Sequence, residues 1–309
     1  MRSLTSLPVK LGQHSRHRRA RPSSAIAHVD AGHAQSAGSG PGASPERAVS
    51  TGAMFHPPGW RNDPLPPKEH ARARCDGVGR QLKSPAVRLV CFGDIHMAFR
   101  AIDHLAPVLR EADCAILTGD LTHFGDPPDA FRVVDAVRQY CPSVLAVTGN
   151  LDMPAVIAAF AAAGISLHGE GRRLGGLGVF GCGGSNITPM DTPTELEEEE
   201  LRDVLERAHA GVGDAPRRLM ICHTPPHATR LDRLMDGRPV GSPAVRAFIE
   251  THRPDLAVVG HIHEGRGVDR LGPTLVMNAG ALRDGGYVVV DHDGASLTAE
   301  LRSFRTPCP

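Results

Sequence analysis

Short apolar runs that stop at an aspartate, an asparagine or a histidine recur five times between residues 87 and 263. They are VRLVCF before Asp94 and His96, CAILT before Asp120, VLAVT before Asn150, LMIC before His223, and LAVVG before His261 and His263. Such runs of apolar, often β-branched residues are typical of buried strands. Because ligands in open α/β folds lie beyond the carboxyl ends of the strands, these polar side chains should converge at one edge of a sheet.

Amphipathic segments after each of the first three runs predict helices, and hence parallel β-α units. One segment covers residues 98–112, where Pro107 should bend the helix or split off its end. A second covers residues 131–139. A third has Pro154 in its first turn and continues through Phe160, followed by Gly164 as its stop. The first half of the domain is therefore predicted to be built around a parallel sheet.

The second half has a different pattern. Short glycine-rich strands are predicted around residues 172–181, and closing strands within 274–278, 286–292 and 295–301, with a hairpin turn at Asp293-Gly294. Thr192 and Glu195 resemble a capping box that opens an acidic helix, and residues 242–252 predict another helix. Residues 86–309 are long enough for a single α/β domain with two sheets.

Two pairs of the polar residues, Asp94 with His96 and His261 with His263, are separated by one position. In an extended backbone, side chains two positions apart point to the same side. We therefore expect both members of each pair to face a common metal centre.

Residues 1–85 differ from the rest of the chain in charge and composition. They hold 13 Lys and Arg against 5 Asp and Glu, a balance of +8, whereas residues 86–309 hold 21 against 29, a balance of −8. The first segment is rich in Pro, Gly, Ser and Arg and is predicted to be disordered, because it cannot bury a core. In order of preference, it is interpreted as a solvated extension or an upstream stretch from a misassigned start, a targeting peptide, or a nucleic-acid-binding arm.

Composition also bears on the compartment and the partners. The seven cysteines form no CxxC pair, and an odd number without a framework favours a reducing compartment, so a cytoplasmic location is expected. No apolar run approaches the length of a membrane span, and no membrane contact is expected. The charge of −8 on residues 86–309 argues against tight binding of long nucleic acid.

The seven polar residues at the strand ends are candidate metal ligands: Asp94, His96, Asp120, Asn150, His223, His261 and His263. A nitrogen and oxygen donor set without thiolates suits manganese, iron or zinc. Seven ligands are too many for one ion but suit two ions held about 3.5–4 Å apart with one carboxylate between them. Two divalent cations and two aspartates leave positive charge, which would deprotonate a bridging water and attract an anionic phosphate.

In this order, the motifs GDIH, GD, GNLD, a lone strand-end histidine and GHIH resemble the calcineurin-like metallophosphoesterase superfamily. The stretches GDLTHFGD, CHTPP, VGSPAVRAFIE and NAGA are similar to its small bacterial and archaeal phosphodiesterase-type branch. The resemblance covers residues 86–309 and implies two mixed sheets packed as a sandwich and flanked by helices. It also implies that Asp94, His96, Asp120 and His263 hold one ion, and that Asp120, Asn150, His223 and His261 hold the other.

The chain departs from this family at one position. The third motif of the family usually reads GNHD, and its histidine is assigned to protonating the leaving group, but residue 151 is a leucine here. His123, three residues after Asp120, is the candidate to take over this catalytic role, with a solvent-facing position as the alternative. Asp152 is expected to support the Asn150 loop through hydrogen bonds.

Other residues near the motifs have simpler interpretations. Asn278 is expected to form a structural turn, and His227 and Asp232 either line the pocket or belong to ordinary loop structure. Five histidines lack a motif and are expected to be exposed: His104, His168, His209, His252 and His292.

The resulting prediction is a dinuclear, manganese-dependent phosphodiesterase that hydrolyses a small phosphoester by attack of a metal-bridging hydroxide. A phosphomonoesterase or a nuclease with the same site is the enzymatic alternative, and a non-catalytic binding scaffold of the same fold is the other. Specificity should depend on the loops at 121–130, 181–194 and 224–242.

Overall fold

The computed structural model describes residues 86–304. The predicted disorder of residues 1–85 falls outside the described residues. Within the described range, no helix is both long and apolar enough to cross a bilayer.

The first sheet contains the strands that lead to Asp94, Asp120 and Asn150. Its five strands follow the order β13-β12-β1-β2-β3, in which β1, β2 and β3 are parallel and β12 and β13 are antiparallel to their neighbours. The strands are β1 Val87–Phe92, β2 Cys114–Thr118, β3 Val144–Val147, β12 Gly286–His292 and β13 Leu297–Ser303. Every residue of β2 and β3 is buried, as their continuous apolar sequence requires.

The second sheet contains the strands that lead to His223 and His261. Its six strands follow the order β10-β11-β9-β8-β5-β4, with β5, β8, β9 and β11 parallel and an antiparallel strand at each edge. The strands are β4 Gly171–Leu174, β5 Leu177–Cys182, β8 Arg217–Cys222, β9 Leu256–Val259, β10 Gly267–Leu271 and β11 Thr274–Asn278, and a separate small pair is β6 Ser185–Asn186 and β7 Glu195–Leu196.

Six α-helices within residues 86–304 flank the sheets: α1 Phe99–His104, α2 Ala106–Glu111, α3 Pro127–Arg138, α4 Ala155–Ala162, α5 Glu198–Ala210 and α6 Pro243–His252. The predicted effect of Pro107 is confirmed, because residues 99–111 form two short helices that meet at Leu105. Ser242 caps α6 by accepting a hydrogen bond from the amide of Val245.

The predicted start of the acidic helix is wrong. Helix α5 begins at Glu198, and its capping box is formed by Glu197 and Glu200. Glu195 does bind Thr192 through its carboxylate, which accepts hydrogen bonds from the amide and the hydroxyl of that threonine. However, residues 195–196 pair with β6, and this extended pairing prevents the helix from starting there.

The two sheets pack face to face around a shared apolar layer. Leu89 and Ile116 of the first sheet belong to the same fully buried cluster as Ile221 and Val258 of the second. Each such side chain contributes about 1.5–3 kcal/mol when it is fully buried. One further cluster packs α1 to α4 on the outer face of the first sheet, and another packs α5 and α6 on the second. The predicted sandwich of two mixed sheets flanked by helices is therefore confirmed.

The five histidines outside the motifs are not all exposed, contrary to expectation. Only His104 is exposed, whereas His168, His209 and His252 are half-buried and His292 is buried. His209 and His252 lie between α5 and α6, where Arg218 contacts the ring of His209 and Glu206 contacts that of His252. The packing of the two helices buries these histidines, and the residues next to each histidine in the sequence do not indicate this packing.

His168 should make the stability of the protein depend on pH. Burial, together with nearby Arg207, lowers its pKa from about 6.5 to about 4, while its Nδ1 accepts a hydrogen bond from the amide of Gly183 at 3.1 Å. Above pH 6.5 the imidazole is neutral in both the folded and the unfolded chain. As the pH falls from 6.5 to 4, only the unfolded chain takes up the proton, so roughly 3 kcal/mol of stability should be lost.

Urea unfolding between pH 4 and pH 8 would measure this loss. The variant His168→Asn keeps an acceptor near Gly183 but cannot titrate, and its stability should fall less steeply with pH than that of the parent. His104→Asn, a change at an exposed position, serves as the control and should keep the parental slope. Equal slopes for the parent and His168→Asn would refute the assignment.

Candidate metal centre

The polar residues predicted at the strand ends all come from short loops at one edge of the two sheets. Asp94, Asp120 and Asn150 follow β1, β2 and β3, while His223 and His261 follow β8 and β9. The loops are hydrogen-bonded to one another through the backbone: the amide of Asp94 donates to the carbonyl of Gly119, and the amide of Gly260 donates to the carbonyl of His223.

The backbone is not extended at Asp94, His96 and His261, contrary to the expectation for the two ligand pairs. Asp94 and His96 both have φ of 47°, Asp120 has φ of 49° and His261 has φ of 68°. The left-handed region is unfavourable for residues other than glycine and is concentrated at functional sites, where the surrounding structure enforces it. Tight turns, rather than an extended strand, therefore aim these side chains.

Glycines before the ligands allow the loops to approach each other closely. A Cβ atom on Gly149 would collide with the carboxylate and the amide of Asp120, and one on Gly119 would collide with the ring of His223. Gly119 also has φ of +103°, which side-chain-bearing residues rarely adopt. The glycines of the GD and GN motifs are thus required by the packing of one ligand loop against the next.

The first group of candidate ligands consists of Asp94, His96 and His263. One ligand atom from each lies within 4.8 Å of the others. His263 Nε2 is 3.2 Å from Asp94 Oδ1 and 3.3 Å from His96 Nε2. His96 Nδ1 is among the few buried polar atoms of residues 86–304 that lack a hydrogen-bond partner.

The second group consists of Asp120, His223 and His261, whose ligand atoms also lie within 4.8 Å of one another. Asn150 adjoins it, because its Oδ1 is 3.2 Å from His223 Nε2. His223 Nδ1 contacts the carbonyl of Thr118 at 2.9 Å, so that Nε2 faces the group.

Asp120 lies between the two groups. Its Oδ2 is 3.9 Å from His96 Nε2 in the first group, and its Oδ1 is 3.6 Å from His223 Nε2 in the second. The carboxylate is buried and also accepts a hydrogen bond at 2.8 Å from the amide of Leu151. One carboxylate therefore faces both groups with different oxygens.

The electrostatics suit cation binding. Burial lowers the pKa of His96 and, together with His223, lowers that of His261 to about 4, so both imidazoles are neutral and offer a lone pair. Burial also opposes charge on Asp120 and His223, but their mutual attraction lowers the pKa of Asp120 and raises that of His223. A bound cation would take the place of the proton on His223.

Supporting residues hold the ligands in position. The buried Asp152 accepts hydrogen bonds from the amides of Leu121, Thr122 and Gly149, which matches its predicted supporting role. Thr192, predicted only as part of a helix cap, accepts a hydrogen bond from the Asn150 side-chain amide at 3.0 Å. That contact leaves Asn150 Oδ1 directed at His223, and no local pattern could have indicated it across 42 positions.

Asn278 has the predicted structural role. It is buried, its side-chain amide donates to the carbonyl of Ile262 at 2.9 Å, and its Oδ1 accepts from the amide of Gly280 at 2.8 Å. Asp232 is also buried and accepts hydrogen bonds from the amides of Ala228 and Gly241, so it shapes the 224–242 loop.

His123 and Leu151 lie at the outer side of the centre. The His123 ring is exposed and stacks on His96 with a centroid separation of 4.5 Å. Leu151 is half-buried, and its side chain offers no proton to a neighbouring group. Of these two residues, only His123 carries a titratable group beside the ligands.

The donor set fits divalent cations. Each group supplies imidazole nitrogens and a carboxylate, the combination that binds zinc, iron and manganese in proteins. A two-sheet α/β sandwich that carries two such groups at its strand ends defines the metallophosphoesterase class of fold.

Residues 87–265 match the family described as calcineurin-like phosphoesterase. This match spans more than half of the chain, which therefore belongs to the calcineurin-like phosphoesterase family. A relative with 31% identity over 200 residues is MJ1162 of Methanocaldococcus jannaschii, described as an uncharacterized protein; the alignment covers 62% of this chain and 87% of that protein.

Two solved structures show the same fold. TT1561 of Thermus thermophilus has a TM-score of 0.53 and 20% identity, covering 71% of this chain and 100% of that one. The purple acid phosphatase PPD1 from yellow lupin (Lupinus luteus) seeds has a TM-score of 0.50 and 12% identity, covering 72% of this chain and 52% of that one.

Proposed function

We propose that this protein is a dinuclear metal-dependent phosphodiesterase that acts on a small phosphoester. The position of Asp120 carries the proposal, because its two carboxylate oxygens face two separate groups of candidate ligands. One ion would be held by Asp94, His96, Asp120 and His263, and the other by Asp120, Asn150, His223 and His261. Manganese is the preferred metal, with iron and zinc as alternatives.

Two such cations, when bound to these residues, would supply an activated water as the nucleophile and would neutralise charge on the phosphoryl oxygens. The protein itself fixes the ligand geometry: Asp152 ties the loops that carry Asp120 and Asn150 together through three backbone amides. Asn150 Oδ1 is oriented by Thr192, and His223 by the carbonyl of Thr118. Pre-arranged ligands of this kind lower the cost of organising the reacting groups.

His123 is our candidate for delivering a proton to the leaving group. Its imidazole is exposed beside His96 and can exchange protons with solvent, whereas Leu151 occupies the position where a histidine is usual in this family. A general acid is most useful when the leaving group is a poor one, such as an aliphatic alkoxide.

A phosphomonoesterase or a nuclease would use the same residues, and a binding scaffold would use the same fold. The charge of −8 on residues 86–309 favours a small substrate over long nucleic acid. The complete set of seven ligand positions favours an enzyme over a scaffold. The five cysteines within residues 86–304 are buried free thiols, which is consistent with a reducing compartment such as the cytoplasm.

The test is a substrate panel on protein reconstituted with manganese, iron or zinc. Bis(4-nitrophenyl) phosphate, 4-nitrophenyl phosphate and single-stranded oligonucleotides represent the three enzymatic candidates. We expect the highest kcat/KM for the diester and none after chelation of the metal. Hydrolysis of the monoester alone would replace the proposed activity, and two bound ions without turnover of any ester would favour the scaffold.

A further inference from the structure

Large exposed apolar side chains are concentrated around the candidate metal centre. Among residues 86–304 there are six: Phe124, Met153, Ile187, Met190, Met235 and Val268. Four of them lie on three loops, 121–126, 150–154 and 187–194, which adjoin Asp120 or Asn150. Grouped apolar side chains at a polar site mark a binding surface, since scattered ones need no explanation.

Two of these loops are joined directly to the ligands. The amide of Phe124 donates to the carbonyl of Leu151 at 2.8 Å, and the amide of Met153 donates to the carbonyl of Gly125 at 3.2 Å. The amide of Leu151 donates to Asp120 Oδ1 at 2.8 Å. Phe124, Leu151 and Met153 therefore sit on two loops that are fixed to each other and to the carboxylate between the two groups. We call these three residues the apolar rim.

The exposed Phe124 has an unfavourable backbone conformation. Its φ is 54°, in the left-handed region that an aromatic residue rarely adopts, and the side chain is still 61% exposed. Met153 is 38% exposed. Folding gains little from apolar side chains held in water, so these positions are explained better by a ligand that covers them.

The third loop adjoins Asn150 and is held by several hydrogen bonds. Thr192 accepts a hydrogen bond from Asn150, and the amide of Thr194 donates to the carbonyl of Asn150 at 3.0 Å. Directly after this loop, Glu195 of β7 accepts hydrogen bonds from the amides of Thr188 and Thr192. These bonds hold the loop that bears Ile187 and Met190 next to Asn150.

The charges near the rim identify the kind of group that would bind. None of the three loops contains Lys or Arg, and their charged residues are Asp126, Asp152 and Asp191. A second phosphate or a carboxylate on the substrate would find no lysine or arginine on these three loops. An uncharged aryl or alkyl group would instead gain from apolar contact without losing an ionic partner.

We propose that the apolar rim of Phe124, Leu151 and Met153 is a subsite for an uncharged aryl or alkyl substituent, so that the substrate is a phosphoester of an apolar alcohol or phenol. This proposal rests on the proposed phosphoesterase function, but the rim can be tested separately through binding. Alkylphosphonates are suitable probes, because the phosphonate can occupy the metal centre while the alkyl chain reaches the rim. Their carbon–phosphorus bond is not an ester, so binding is measured without hydrolysis.

The experiment measures the Kd of methyl-, butyl- and hexylphosphonate on the manganese-loaded full chain by calorimetry. Each fully buried methylene should improve affinity roughly 3- to 4-fold, so hexylphosphonate should bind at least roughly 10-fold more tightly than methylphosphonate. A phosphonate of the same length that ends in a carboxylate should lose this gain. Equal affinity for the methyl and hexyl compounds, or no binding of hexylphosphonate, would overturn the subsite.

The variants Phe124→Asn and Met153→Gln locate the effect. Asparagine tolerates the left-handed φ, and glutamine keeps the length of methionine, so both variants should fold with nearly the parental Tm. In each variant, the Kd of methylphosphonate divided by the Kd of hexylphosphonate should be several-fold smaller than in the parent. Val268→Thr alters an exposed apolar residue of β10, outside the three loops, and should leave the ratio unchanged. Parental ratios in both rim variants would overturn the assignment.

Failure of the subsite and failure of the proposed function give different results. If the protein hydrolyses no ester but binds hexylphosphonate through Phe124, the subsite is supported and the phosphodiesterase is lost. If diesters are hydrolysed but affinity is independent of chain length, the activity is supported and the subsite is overturned.

Discussion

Asp120→Asn should lose at least about 100-fold in kcat/KM and bind fewer metal ions than the parent protein. Asparagine has the same shape, but it removes the negative charge that faces both ligand groups and leaves one oxygen where there were two. Loss of residues that merely support metal ligands costs roughly 10- to 100-fold in affinity or activity, and a shared ligand should matter more. The parent should hold about two equivalents of metal per chain.

Elemental analysis after gel filtration, run beside the kinetic assay, measures both quantities. Asp135→Asn is the matched control, because Asp135 is an exposed residue of α3 outside the candidate centre. It should keep two equivalents and parental activity. A saturated parental stoichiometry of one, or full activity in Asp120→Asn, would contradict the dinuclear proposal.

The rate of hydrolysis should depend steeply on the pKa of the leaving group. Leu151 cannot donate a proton, and general acids typically contribute 10²- to 10⁴-fold to the departure of a poor leaving group. Esters of acidic phenols should therefore react far faster than esters of ordinary alcohols, unless His123 supplies the proton. A series of aryl and alkyl phosphodiesters with measured kcat/KM gives this dependence directly.

Two variants separate the residues involved. Leu151→His should flatten the dependence if the new imidazole reaches the leaving oxygen, whereas Leu151→Met, which stays apolar, should not. If the parent already shows a flat dependence, the prediction about Leu151 is wrong, and His123→Ala should then make the dependence steep. A flat dependence that persists in His123→Ala would exclude both residues.

The apolar rim gives Leu151 a second proposed role. If residue 151 contributes contact surface rather than a proton, the site lacks general-acid catalysis from this position but gains affinity for an apolar substituent. Acidic phenols need little protonation as they leave, so esters of acidic phenols should be the best substrates for such a site. The leaving-group series and the phosphonate series examine the two aspects independently.

Much of the fold could be predicted because its rules are local. Buried strands in a two-sheet sandwich have continuous apolar sequences. The strands β2 and β3 follow this rule, since all five residues of β2 and all four residues of β3 are buried. The break in the helix just before Pro107 follows from the chemistry of that one residue. Antiparallel β10 was missed, because its alternating exposure leaves no apolar run.

Predictions failed where contacts between distant segments outweighed local preference. Thr192 and Glu195 do interact as a capping pair would, yet pairing of β7 with β6 moved the helix start to Glu198. Likewise, Asp94 and His96 were expected to be extended. Their amides instead donate to carbonyls of the loop after β2, which places them in left-handed turns.

The sequence by itself determined which residues stand at the strand ends, because each apolar run ends where a strand leaves the core. It also determined the absence of a histidine at position 151. Only the tertiary structure decided that Asp120 faces both groups, that Thr192 orients Asn150, and that Phe124 and Met153 stay exposed beside them. The contacts of Asp120 with Leu151 and of Asn150 with Thr192 join residues 31 and 42 positions apart, and their geometry depends on how the two sheets pack rather than on any local pattern.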